Sequence, residues 1–208
     1  MKKYIYKYDI PQDVFDSLLQ KNITMISIDT EALGLDINRD RLCVVQMMIN
    51  KDVYIVHFPK PNYESKNLKQ LLGDSKIQKL FHFARFDMFI IYKYLGVLMK
   101  NIVCTRVLSK IVRTYSDRHG LKELCRELLK YDMNKGAQSS NWAIEDLTQS
   151  QIDYAANDVI YLPDLFDILK TMAEKEKRYS IAQDMFDILP SIIRIENSLF
   201  NPVDLIDH

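Results

Sequence analysis

The stretch ISIDTEALGLD, residues 26–36, sets two carboxylates, Asp29 and Glu31, at the end of an apolar run. With the preceding residues it reads TMISIDTE, β-branched and apolar with no helical period, and predicts a buried strand. Side chains at i and i+2 of a strand share a side, so Asp29 and Glu31 converge. Two carboxylates so close repel unless a proton or a cation lies between them. Hard divalent cations such as Mg²⁺ take oxygen ligands and suit such a pair. Most D-x-E pairs lie on exposed strand ends, and this pair by itself leaves that reading open.

Working outward, RLCVVQMMI and DVYIVHF, joined by NKD, predict a hairpin. Residues 64–72 predict a short helix ending at Gly73, KIQKLFHF a strand, and ARFDMFIIYKYLG a helix closed by Gly96. NIVCT reads as a short strand entering the helix RVLSKIV, and LKELCRELLKY as an amphipathic helix after Gly120. A long helical stretch follows from residue 148, where Thr148 and Gln151 fit a capping box. Pro163 should kink or split it, because it removes the hydrogen bond to the Val159 carbonyl. Ile181, Met185, Ile188 and Leu189 mark one more apolar helix face before Pro190. Strands come early and helices dominate later, which predicts an α/β fold: a mixed sheet covered by helices.

The 208 residues can bury a core without disulfides or a structural metal. Three cysteines, Cys43, Cys104 and Cys125, with no C-x-x-C spacing and no leader-like start, predict reduced thiols in a cytoplasmic protein. Apolar runs such as MFIIY are far too short to span a bilayer, so no membrane partner is expected. The net charge of zero argues against tight, sequence-indifferent binding of long duplexes. Residues 100–135 nevertheless hold nine Lys or Arg against four acids, a surplus that fits a solvated helix face or a phosphate-facing patch.

Further candidates are scattered. Asp87 falls in the first turn of the helix after LFHF, where the helix dipole alone would favour an acid. His82 just before it also fits a satisfied core histidine. Tyr154 and Asp158, four apart in YAAND, stack on one helix face beside the apolar residues Ile152, Ala155 and Val159. A surface acid with an interfacial tyrosine would look the same.

Taken together, DTE, FHFARFD and YAANDVIYL resemble, in order, the three motifs of the DEDD exonucleases in the branch whose third motif is Y-x-x-x-D. The resemblance is to the ribonuclease D group and covers about residues 20–175. It takes in HGLKELCRELL and QSSNWA, and is strongest toward the short bacterial nano-RNases of that group. It implies a ribonuclease-H-like (DnaQ-like) mixed sheet flanked by helices. It also implies a 3′-5′ exonuclease using two divalent cations, Mg²⁺ or Mn²⁺, held by Asp29, Glu31, Asp87 and Asp158. Tyr154 would orient the attacking water; an unperturbed phenol, with a pKa of about 10, is too weak an acid to serve as a full general base.

The same resemblance implies very short RNA, especially dinucleotides, as substrate, with DNA 3′ ends a further partner. Leu35 resembles a leucine that wedges between two bases, and also fits a turn residue packed on the core. His82 would approach the substrate backbone. Arg113, Arg118 and His119 are expected to clamp a phosphate. Gln138 and Trp142, in the QSSNW loop, are expected to border the site, Trp142 either stacking on a base or anchoring the core. The expected division is an exonuclease domain over residues 1–175 and a C-terminal helix and tail over 176–208 in subunit contacts, the short members of the group forming homo-oligomeric rings. Rival expectations are ribonuclease-D-like processing of structured RNA 3′ ends, for which no accessory helical domains follow, and a non-catalytic nucleic-acid-binding module.

Overall fold

The computed structural model describes residues 1–207 apart from 37–38, 134–135 and 137–138. Six strands form one sheet in the order β1-β4-β3-β2-β5-β6. They are β1 (Lys3–Lys7), β2 (Met25–Ala32), β3 (Leu42–Ile49), β4 (Asp52–His57), β5 (Gln78–Phe81) and β6 (Ile102–Cys104). β2–β3 and β3–β4 pair antiparallel, while β1–β4, β2–β5 and β5–β6 pair parallel, giving the expected mixed sheet. The β3–β4 hairpin turns on Asn50 and Lys51, both at positive φ (48° and 72°), as a tight turn matched to strand twist requires. The sequence reading leaves the first twenty residues unassigned, yet they supply β1 and the helix α1 (Gln12–Leu19), because charges interleaved through KYIYK hide an edge strand.

The other helices are α2 (Lys66–Gly73), α3 (Ala84–Leu95), α4 (Thr105–Val112), α5 (Leu121–Leu124), α6 (Gln149–Ile160), α7 (Leu162–Lys175) and α8 (Tyr179–Asn197). One sheet face carries the main core, which draws on α1 to α4, α7 and α8. The other face is covered by α6, where Ala155, Ala156 and Val159 pack with Trp142 on Cys43, Val44, Val53 and Ile55. The capping box of Thr148 and Gln151 starts α6, and the chain breaks at Tyr161, so Pro163 enters the first turn of α7, where its missing N–H is harmless.

Two helix readings need correction. LKELCRELLKY forms only the short α5 and then widens into a π-helical turn, Cys125–Leu129. Pro190 does not end α8, which runs through it to Asn197. The buried stripe of α8 is Ala182, Phe186, Leu189 and Ile193, at true helical spacing, and Ile181, Met185 and Ile188 lie exposed on its other side. α8 packs on α3, α4 and β6.

Candidate active site

Strand alternation builds the site. Ile26 and Ile28 of β2 enter the main core, so Asp29 and Glu31 point to the opposite face. Their cross-strand partners are Gln46 and Val44, and Val44 belongs to the α6 side of the sheet. There α6 brings Asp158 and Tyr154. One carboxylate oxygen from each of Asp29, Glu31 and Asp158 lies within 4.8 Å of the others. Asp87 comes from the first turn of α3, on the other side of the sheet, and is anchored by the Thr30 hydroxyl, which donates to its Oδ1 at 2.6 Å. Three elements far apart in sequence thus deliver four carboxylates to one end of β2.

The electrostatics are those of negative charge crowded out of water. Burial raises the Asp29 carboxyl well above the ordinary range, and Asp87, Asp158 and Glu31 push it further. Glu31 is raised by burial and then by Asp158 and Asp87. Asp87 is raised to about 7 by burial, against hydrogen bonds from Thr30 that oppose the shift. Tyr154 is raised by burial and then by Asp158, Glu31 and Asp29, so its hydroxyl stays protonated. All-oxygen carboxylate donors of this density fit hard divalent cations. Gln46 fits the same scheme: wholly buried in an apolar strand, it donates its amide to Asp29 Oδ2 at 2.6 Å, and its own Oε1 has no protein partner. The sequence reading missed Gln46; its signal is the single amide inside LCVVQMMI.

These carboxylates floor a cleft of about 640 Å³, whose walls include Leu35, His82, Phe83, Phe86, Arg106, Lys122 and Ser140. Leu35 stands 88% exposed on the loop after β2. At Gly34 beneath it a Cβ would run into the Asp40 carboxylate that accepts from the Asp36 N–H, so a side chain there would displace Asp40. His82 Nδ1 pairs with Thr105 Oγ1 at 2.9 Å, and burial holds its pKa down near 3, so the ring is neutral. Arg118 and His119 line a second hollow of about 470 Å³ that shares Arg106, Gly120 and Glu123 with the cleft and adds Arg126. Gln138 lies outside the described residues.

The structure contradicts the expected place of Arg113 and selects the second of the two readings of Trp142. Arg113 is wholly buried: its guanidinium donates to the Arg118 carbonyl at 2.6 Å and to Ser109 Oγ at 3.2 Å, and it is ion-paired with Glu127. It holds the loop that presents Arg118 and His119, and its burial keeps it from a substrate phosphate at the surface. Trp142 is 1% exposed, its carbonyl bonded to His57 Nε2 at 3.1 Å and its ring 6.0 Å from that of Tyr154. It is a core anchor beneath Tyr154 and not a base-stacking surface.

A profile of the 3′-5′ exonuclease family matches residues 3–174. The chain belongs to the 3′-5′ exonuclease family. Its relatives include the ribonuclease D of Gluconacetobacter diazotrophicus, 31% identical over 161 residues, which are 77% of this chain and 41% of the relative. The ribonuclease D of Bartonella henselae is 27% identical over 169 residues, 81% of this chain and 41% of that protein. The chain therefore matches less than half the length of these relatives. A solved structure of Brucella melitensis NrnC bound to pGG superposes with a TM-score of 0.90 at 37% identity, covering 100% of this chain and 99% of that one. NrnC with bound Mg²⁺ gives 0.88 at 36%, covering 100% and 98%. The fold is the ribonuclease-H-like mixed sheet of DnaQ-type exonucleases. Among the described residues no helix is long and apolar enough to cross a membrane, and Cys43, Cys104 and Cys125 are buried free thiols.

Proposed function

We propose that the protein is a metal-dependent 3′-5′ exoribonuclease that hydrolyses short oligoribonucleotides, dinucleotides above all, to nucleoside 5′-monophosphates in the cytoplasm. The observation that carries this reading is the convergence of Asp29, Glu31, Asp87 and Asp158 with Tyr154 on the floor of one cleft. When bound, two Mg²⁺ or Mn²⁺ ions supply Lewis-acid stabilisation of the attacking and leaving oxygens. The four carboxylates hold those ions. Gln46 and Thr30 fix the orientation of Asp29 and Asp87. Tyr154, kept protonated by its acidic surroundings, orients the attacking water through its hydroxyl and does not abstract a proton.

A cleft of about 640 Å³ has the size of a small-molecule site, not of a groove for a long strand. NrnC, matched end to end by this chain, has been captured with pGG, which supports a dinucleotide here. Leu35 wedges between the two bases, and His82 lines the substrate backbone. Arg118, with His119, Arg106 and Arg126, supplies the phosphate clamp in place of Arg113. The protein assembles as a homo-oligomeric ring through its C-terminal segment, residues 176–208, supported by the exposed Ile181, Met185 and Ile188 of α8 and by Leu199, Phe200 and Ile206 beyond it. Light scattering that finds only monomer at micromolar concentration would reject the ring.

The decisive assay incubates the purified protein with 5′-labelled RNAs of two to seven nucleotides and with a duplex DNA, in Mg²⁺ and in Mn²⁺. A sharp rate advantage for the dinucleotide is expected. Equal rates at all lengths, or faster trimming of DNA 3′ ends, would reject the substrate class. Asp29→Ala separates enzyme from binding module, since only an enzyme loses its function with that carboxylate.

A further inference from the structure

Phe83 breaks three local preferences at once. It occupies the left-handed backbone region, φ 70° and ψ 45°, which disfavours a bulky side chain. It stands at the N-cap of α3, where Ser, Thr, Asp or Asn would satisfy an orphan N–H, and it makes no side-chain cap. Its ring is 50% exposed, so core burial does not offset either preference.

The backbone geometry explains what is gained. Leu80 and Phe81 close β5 inside the main core, whereas Phe83 lines the cleft. The left-handed residue stands at the turn from β5 into α3, and Phe83 shares the wall of the cleft with His82 and Asp87. There the Arg106 guanidinium sits 4.7 Å from the ring centroid and braces it by a cation–π contact. Leu35 lines the same cleft, so the acidic floor is flanked by exposed apolar surface. Backbone strain kept without a folding return marks a functional position. A flat aromatic wall beside a carboxylate–metal floor suits a ligand that carries a π-face next to a phosphodiester.

We propose that Phe83, braced by Arg106, is a stacking platform for a nucleobase of the substrate and sets its base preference. This rests on the exonuclease reading for the identity of the ligand, and its test is built to fail separately. The variants are Phe83→Gly, which suits the left-handed backbone, and Phe83→Trp, which keeps an aromatic face. Phe83→Gly should raise KM for ApA about 10-fold or more with kcat little changed, and should flatten the preference among bases. Its Tm should stay level or rise, because glycine adopts this conformation freely. Phe83→Trp should restore KM, and a dinucleotide carrying an abasic residue should be insensitive to all three side chains. Direct binding of a 2-aminopurine dinucleotide, read by fluorescence anisotropy with Ca²⁺ in place of Mg²⁺, should weaken in step with KM. A lowered Tm with unchanged KM would show a packing role and overturn the proposal. Wild-type protein that binds the probe through Phe83 yet cleaves no dinucleotide would refute the exonuclease reading while keeping the platform. Cleavage and binding indifferent to Phe83 would do the reverse.

Discussion

Two regions of this molecule bury charge, and they do it in opposite ways. Arg113 is sealed inside the protein among partners of its own: Ser109, the Arg118 carbonyl and Glu127. Asp29 and Glu31 are crowded by other carboxylates, and what relieves them is neutral: the Thr30 backbone at Asp29 and the amide of Gln46, which lowers Glu31 and donates to Asp29. A buried charge that the chain itself neutralises is scaffold, and removing it exposes an unpaired partner. A buried charge surrounded by its own sign is held by the rest of the fold for a cation to complete. In the sequence both appear as single charged residues beside apolar ones; the partners distinguish them.

That contrast can be broken by mutation. Asp29→Asn or Asp158→Asn should lower kcat/KM by about 10³-fold or more, as loss of several kcal/mol of metal-borne transition-state stabilisation requires. The same variants should keep or raise Tm in chelator, because each removes repulsion. Arg113→Ala should behave in the opposite sense, losing roughly 3–5 kcal/mol of stability in a denaturant titration. If it instead stayed folded at the wild-type midpoint and raised KM, the phosphate-clamp role would return to Arg113. Tyr154→Phe keeps the ring beside Trp142 and deletes the hydroxyl, so kcat should drop about 10²-fold with little change in Tm.

The smallest effect is a pH dependence. Asp87 is raised from 3.8 to about 7, so the folded, metal-free protein holds a proton there that the unfolded chain releases. Its contribution is fully present below about pH 4 and is lost as pH rises through 7. Tm in chelator should therefore fall across that window, and saturating Mn²⁺, which binds the ionised carboxylates, should reverse the slope. A flat profile in both conditions would contradict a carboxyl at Asp87 held protonated by burial.

Much of the fold was legible where local pattern and tertiary environment agree. The β2 run, the hairpin on Asn50 and Lys51, the Gly96 stop and the Thr148–Gln151 box each announce themselves in a few residues. The carboxylates were legible through the order of three motifs, since D-x-E alone looks like any strand end. What stayed hidden depends on partners distant in sequence. Gln46 acquires meaning only from its register opposite Asp29. Arg113 reads as a surface cation until Glu127 and the Arg118 carbonyl fold around it. Phe83 reads as one more apolar residue of FHFARF until its backbone turns left-handed. Pro190 is tolerated inside α8 because the stripe from Ala182 to Ile193 is packed on both sides of it.

The account turns on cations completing the carboxylate cage, and calorimetric titration of chelator-stripped protein with Mn²⁺ tests that most directly. Two Mn²⁺ per chain are predicted, with binding abolished or reduced to one ion in Asp29→Asn. Absence of any binding heat in the wild-type protein, or a titration unchanged by Asp29→Asn, would contradict it.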